Sequence, residues 1–111
     1  MPDPSAARAK LQAERARLRK ELDETIISPG PMTYGSQASA ATQVFEQQRD
    51  LALRERAENQ LALVDAAMKR LDAGTFGTCR RCGKEIADER LEALPWAALC
   101  IDCQRLEGRG R

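Results

Sequence analysis

The chain has 111 residues, of which 32% are charged and 4% aromatic, with a formal net charge of +1. That length fits one domain, or one domain and a small module. The charge balance gives little counterion-release drive toward nucleic acid, no run of about eighteen apolar residues is available to span a membrane, and the absence of histidine excludes both a histidine general base and a mixed Cys/His metal site.

Abundant Ala, Leu, Arg, Glu and Gln suit long, exposed helices. Ser5 is placed to cap a first helix running to about Ile27, with Ala7, Leu11, Leu18, Leu22 and Ile26 forming a one-sided stripe. Ser28-Pro29-Gly30-Pro31 stops it, because proline cannot continue a helix. A polar loop over about 28–38 follows. Ser39 is a candidate N-cap for a second helix ending at Leu71 or Asp72, with Gly74 closing it. Its stripe is Val44, Leu51, Leu61, Val64, Met68 and Leu71. Folded back antiparallel, the stripes bring Leu18 near Leu51, Leu11 near Leu61, Arg15 near Glu55 and Glu14 near Arg56. At 1.5 Å per residue the helices would be roughly 35 Å and roughly 50 Å long, a two-helix coiled-coil rod. The short Pro-Gly-Pro connection favours pairing within one chain, hence a monomer.

The last segment carries the chemistry. Cys79 and Cys82 form one Cys-x2-Cys pair, and Cys100 and Cys103 form another, seventeen residues on. Each pair can turn two thiolates toward one point, so together they offer four soft ligands for a tetrahedral ion, zinc above all. Gly83 follows the first pair, where a sharp turn needs a residue tolerant of positive φ. Four thiolates fill the coordination sphere and leave no place for a reacting water, so the zinc is structural. A segment of some forty residues buries little core, so metal binding should contribute on the order of 10 kcal/mol or more to its folding. Phe76, Ile86, Leu91, Leu94, Trp96, Leu99, Ile101 and Leu106 are the apolar residues available, with Phe76 and Trp96 expected beside the metal. The fold class is therefore mainly α: an antiparallel two-helix coiled-coil hairpin over residues 1–72 and a small four-cysteine zinc-finger module over 73–111.

Disulfides would need an oxidising compartment. The N-terminus turns charged soon after Met1-Pro2-Asp3-Pro4-Ser5 and shows no apolar leader, so a cytoplasmic chain with reduced thiols is expected. An enzyme is not expected, because no phosphate-cradling glycine loop or open metal position accompanies the missing histidine.

The run Phe76-Gly77-Thr78-Cys79-Arg80-Arg81-Cys82-Gly83-Lys84-Glu85-Ile86, with Arg90-Leu91-Glu92-Ala93-Leu94-Pro95 and Leu99-Cys100-Ile101-Asp102-Cys103-Gln104, resembles the DksA/TraR family of bacterial transcription regulators. The resemblance implies a hairpin that enters the secondary channel of RNA polymerase. Its tip there alters the lifetime of open promoter complexes without reading promoter sequence. Aligned from the cysteines without gaps, the founding member's Asp-x-x-Asp-x-Ala tip motif falls on Ser36, Ser39 and Ala41: the alanine is kept and both acids are absent. No carboxylate occurs between Glu24 and Glu46, and Tyr34 is the tip's single aromatic, as a contact or a packing residue. Leu63 and Gln104 stand where the family's guanosine tetraphosphate surface would have basic residues, although Arg56 remains. The resemblance thus implies polymerase binding with an altered or absent alarmone response.

Two other functions compete. Arg80, Arg81 and Lys84 beside the first pair, with Arg105, Arg109 and Arg111 in the tail, suggest a nucleic-acid-binding zinc module. Four thiolates and one zinc, however, take the net charge from +1 to −1. A thiol or zinc-occupancy sensor is the other, since oxidation of the cysteines would eject the metal.

Overall fold

A computed structural model describes residues 2–24 and 37–109. Four helices follow in chain order: α1 (Pro4–Glu24), α2 (Gln37–Ala73), α3 (Asp88–Ala93) and α4 (Ile101–Arg109). No strand longer than an isolated antiparallel bridge, Thr78 with Glu85, occurs among the described residues. No helix among them is long and apolar enough to cross a membrane.

The start of α1 differs from the sequence expectation. Asp3, not Ser5, is the cap: its carboxylate accepts from the Ser5 backbone N–H at 3.2 Å, and its carbonyl accepts the first helical bond from Ala7 at 2.9 Å. Pro4 then takes the first helical position, where its missing N–H costs nothing. Ser39 is likewise no cap, because α2 already includes Gln37 and Ala38; glutamine and alanine are good helix formers, and nothing there stops the helix two residues earlier. The C-terminus of α2 is as anticipated. Gly74 has φ +78°, its N–H reaches the Leu71 carbonyl at 3.3 Å and the Thr75 N–H reaches the Arg70 carbonyl at 2.9 Å, the paired bonds of a Schellman motif. The expected end of α1 at Ile27 and the turn at 28–31 lie outside the described residues.

The chain divides into two compact units, Met1–Ala16 with Ala62–Arg111, and Arg17–Leu61. In the first, the early turns of α1 run antiparallel to the end of α2. Arg8 pairs with Asp72 at 2.7 Å and Arg15 with Asp65 at 3.6 Å. Ala7, Leu11, Val64, Ala67 and Met68 are buried between them, Leu11 and Val64 completely. Full burial of such a side chain stabilises by about 1.5–3 kcal/mol.

In the second unit Arg54 donates to the Leu22 carbonyl at 3.1 Å, while Leu18 and Ala57 are the buried residues among those described. Leu51, expected in the seam, is 46% exposed. The register thus differs from the sequence expectation: Arg15 meets Asp65 and not Glu55, about three helical turns away. A stripe that repeats every turn looks similar after a slide of whole turns. Periodicity therefore fixes the face and leaves the register open. The alanines at 57 and 67, which let backbones approach, carry little weight in a stripe read from large residues.

Candidate metal centre

The first cysteine pair sits on a small backbone ladder. The Cys79 N–H donates to the Lys84 carbonyl at 2.8 Å, the Gly83 N–H returns to the Cys79 carbonyl at 3.0 Å, and the Ile86 N–H reaches the Gly77 carbonyl at 2.8 Å. Gly83 has φ +79°, the conformation anticipated for the turn. The second pair is built by a helix start. Cys100 immediately precedes α4, and its Sγ lies 3.5 Å from the Cys103 N–H. That is the place of an N-cap side chain, and a helix N-terminus favours a thiolate there.

One backbone bond joins the two knuckles, from the Arg80 N–H to the Ala98 carbonyl at 2.8 Å. Arginine side chains hold the intervening segment. Arg90 Nε donates to the Leu99 carbonyl at 3.1 Å, and Arg70 of α2 donates to the carbonyls of Trp96 at 3.2 Å and Ala97 at 3.4 Å. Sequence reasoning missed both arginine clamps. A half-buried arginine whose partner lies nine or more residues away leaves no local pattern.

All four Sγ atoms lie within 4.8 Å of one another, with Cys82 and Cys100 at 3.8 Å. Four sulfurs at about 2.3 Å from one ion stand about 3.8 Å apart, so the spacing suits a tetrahedral soft cation and is far too long for a disulfide. None of the four is disulfide-bonded. Cys79 and Cys103 are buried, Cys100 is half-buried and Cys82 is exposed.

Their ionisation differs. The Cys82 backbone N–H, pointed at the Cys79 sulfur, is the main cause holding that thiol down to about 6. Burial is the main cause pushing Cys103 up to about 12. The set therefore offers one ready thiolate and one that ionises only beside a strong positive charge, which a bound dication supplies.

Around the sulfurs, Phe76, Ile86, Leu91 and Leu99 are buried as expected, and Trp96 is half-buried. Ile101 and Leu106 are 46% and 51% exposed. The inward face of α4 is set by Cys103, and Ile101, two residues away, turns to the opposite side. Of the tip residues, Tyr34 and Ser36 lie outside the described residues. Ser39 and Ala41 are helical, Ala41 with its side chain exposed.

Residues 74–107 match the model of the prokaryotic dksA/traR C4-type zinc finger. An RNA polymerase-binding transcription factor DksA from Haemophilus influenzae is 42% identical over 84 residues, covering 76% of this chain and 54% of that protein. Its counterpart in Escherichia coli K12 is 35% identical over 98 residues, covering 86% of this chain and 65% of that protein. The chain thus spans between about half and two thirds of these relatives. The solved structure of transcription factor DksA2 from Pseudomonas aeruginosa aligns with 97% of this chain and 77% of its own length, at a TM-score of 0.59 and 30% identity. A C4 zinc-finger family and four sulfurs placed for one ion give the module one structural zinc. With a helical hairpin ahead of that module and a 30%-identical solved relative covered over 77% of its length, the chain belongs to the DksA/TraR family.

Proposed function

We propose that the chain is a bacterial transcription regulator that binds RNA polymerase, with Cys79, Cys82, Cys100 and Cys103 as the four ligands of its zinc. The observation that carries the reading is the 4.8 Å cluster of sulfurs behind a helical hairpin, in a chain whose relatives are named RNA polymerase-binding transcription factors. Residues 1–72 form the polymerase-facing hairpin and residues 73–111 the metal module. The zinc does no chemistry: it closes the module, and Arg70 ties that module to α2. The protein acts in the cytoplasm as a monomer, catalyses no reaction and does not read promoter sequence.

The tip is where its action departs from the family. Twenty-one successive residues, 25–45, carry no charge in a chain that is 32% charged. A tip without carboxylates meets a metal-bound or basic centre with weaker electrostatics, so Tyr34, Ser36, Ser39 and Ala41 act by shape and hydrogen bonding. Purified transcription tests this. The zinc-loaded chain is expected to change the lifetime of open promoter complexes, and Tyr34→Ala with Ser39→Ala to reduce that change. A lifetime indifferent to saturating protein would refute the regulatory role, and an undiminished effect of the double variant would refute the tip assignment.

A further inference from the structure

α2 is buried unevenly along its length. Among the described residues its buried side chains, Ala57, Val64, Ala67 and Met68, all come after Arg54. Residues 40–53 include none that is buried, and the large apolar side chains of Phe45, Leu51 and Leu53 are exposed. From Arg54 back to Gln37 the helix runs roughly 25 Å, and over that length apolar packing does little to set its height against a neighbour.

At that boundary one side chain crosses to α1. Arg54 Nη1 donates to the Leu22 carbonyl at 3.1 Å, and Arg54 Nε meets Glu58 Oε1, one turn along α2, at 3.0 Å. The two partners use different nitrogens of one planar group, so the carboxylate that orients the guanidinium also aims it at Leu22. The Arg54–Glu58 pair is largely exposed and contributes little stability itself; its use is to hold the arm. A bond to backbone also differs in kind from the other links. An apolar stripe repeats every turn and exposed ion pairs swing on long side chains, whereas a carbonyl stands at one fixed height on its helix. Ala57, one turn after Arg54, and Leu18, one turn before Leu22, are both buried, and a methyl side chain at 57 lets the two backbones come close enough for the arm to reach.

We infer that Arg54 is a positioning residue of the hairpin. It pins α1 to α2 at one height where packing gives out, and so sets how the stretch of α2 carrying Ser39 and Ala41 stands relative to α1. This role rests on the reading that this end of the hairpin acts on the polymerase.

Arg54→Met keeps an apolar stem and removes every donor, while Arg19→Met removes the same charge from an exposed site on α1. Both are compared with the parent as zinc-loaded full chains. In hydrogen exchange, the amides of residues 18–24 should exchange about tenfold faster in Arg54→Met, with α4 and zinc content unchanged. With purified polymerase, the concentration giving half the effect on open-complex lifetime should move by less than about twofold. The effect at saturation should fall by about threefold or more, because bound chains then spread over several heights. Lost stability alone would do the reverse, raising the half-effect concentration and leaving the saturating effect whole. Arg54→Lys, which keeps the charge and carries its donors on one nitrogen, should fall between parent and Arg54→Met. Unchanged exchange in 18–24, an undiminished effect at saturation, or an equal loss in Arg19→Met would overturn the role of Arg54. A parent chain without effect on the polymerase would instead refute the function on which that role rests.

Discussion

A cysteine thiol buried in protein resists ionisation, and Cys79 and Cys103 meet that resistance differently. Cys79 is helped by a backbone N–H and Cys103 is hindered by burial. We therefore expect Cys103→Ser to lose most bound zinc, together with the order of α4, as read by metal analysis and circular dichroism. Retention of one zinc per chain would show that a different donor set holds it. In the metal-free module, acid acts on the Cys79 thiolate. Its folded value lies below the ordinary 9.0, so the stability from its ionisation is present above about pH 9 and is lost as pH falls through about 6. Protons also compete with zinc for every thiolate, so the loaded chain should lose its zinc as the pH is lowered, and a chain that still held its zinc at about pH 4 would argue against thiolate ligation. Away from the metal, Leu11 is completely buried, and Leu11→Ala should destabilise its unit by about 2–5 kcal/mol in chemical denaturation; a change below about 1 kcal/mol would mean that the seam packs loosely. The cysteines were legible at this scale, because two-residue spacing is itself the geometry of a knuckle. Asp3 as cap was less so, because Ser5 is an equally good capping residue by type and only the position of Pro4 distinguishes them.

At the scale of elements, turns and clamps govern the metal module more than its apolar core. Gly83 at φ +79° has nothing within 4 Å of where a Cβ would stand, so alanine there meets no clash and costs only the conformational penalty. That penalty is about 1–2 kcal/mol, and Gly83→Ala should weaken zinc binding by about tenfold in chelator competition. An unchanged affinity would mean that the turn relaxes freely. Arg70→Ala removes two bonds to the carbonyls of Trp96 and Ala97 and should destabilise the unit by about 1–3 kcal/mol. Both bonds leave one nitrogen, Nη2, and lysine at 70, whose ammonium also carries several donors on one nitrogen, should restore part of that loss. Full rescue by lysine would reduce the clamp to a simple charge effect. By contrast, the Arg8–Asp72 pair is exposed, and its loss should cost well under about 1 kcal/mol. The helices and their apolar faces could be read from spacing, and so could Gly74 and Gly83. The pairing of Arg15 with Asp65 could not, since register depends on loop length and on small residues such as Ala57 and Ala67. The arginine clamps depend on contacts between residues distant in sequence, which periodicity does not record.

For the whole molecule, the hairpin and the zinc module answer to different forces. Metal ligation holds the module, while among the described residues α1 and α2 bury few apolar side chains and leave Phe45 70% exposed and Leu53 47% exposed. A chain built this way gains most from a partner that covers the hairpin, and polymerase is the partner its relatives are named for. The zinc-loaded chain mixed with purified bacterial RNA polymerase should comigrate with it in size-exclusion chromatography at about one copy per enzyme, and chelation should weaken that association. Separate elution of the folded, zinc-bound chain at micromolar concentrations of both proteins would contradict the account.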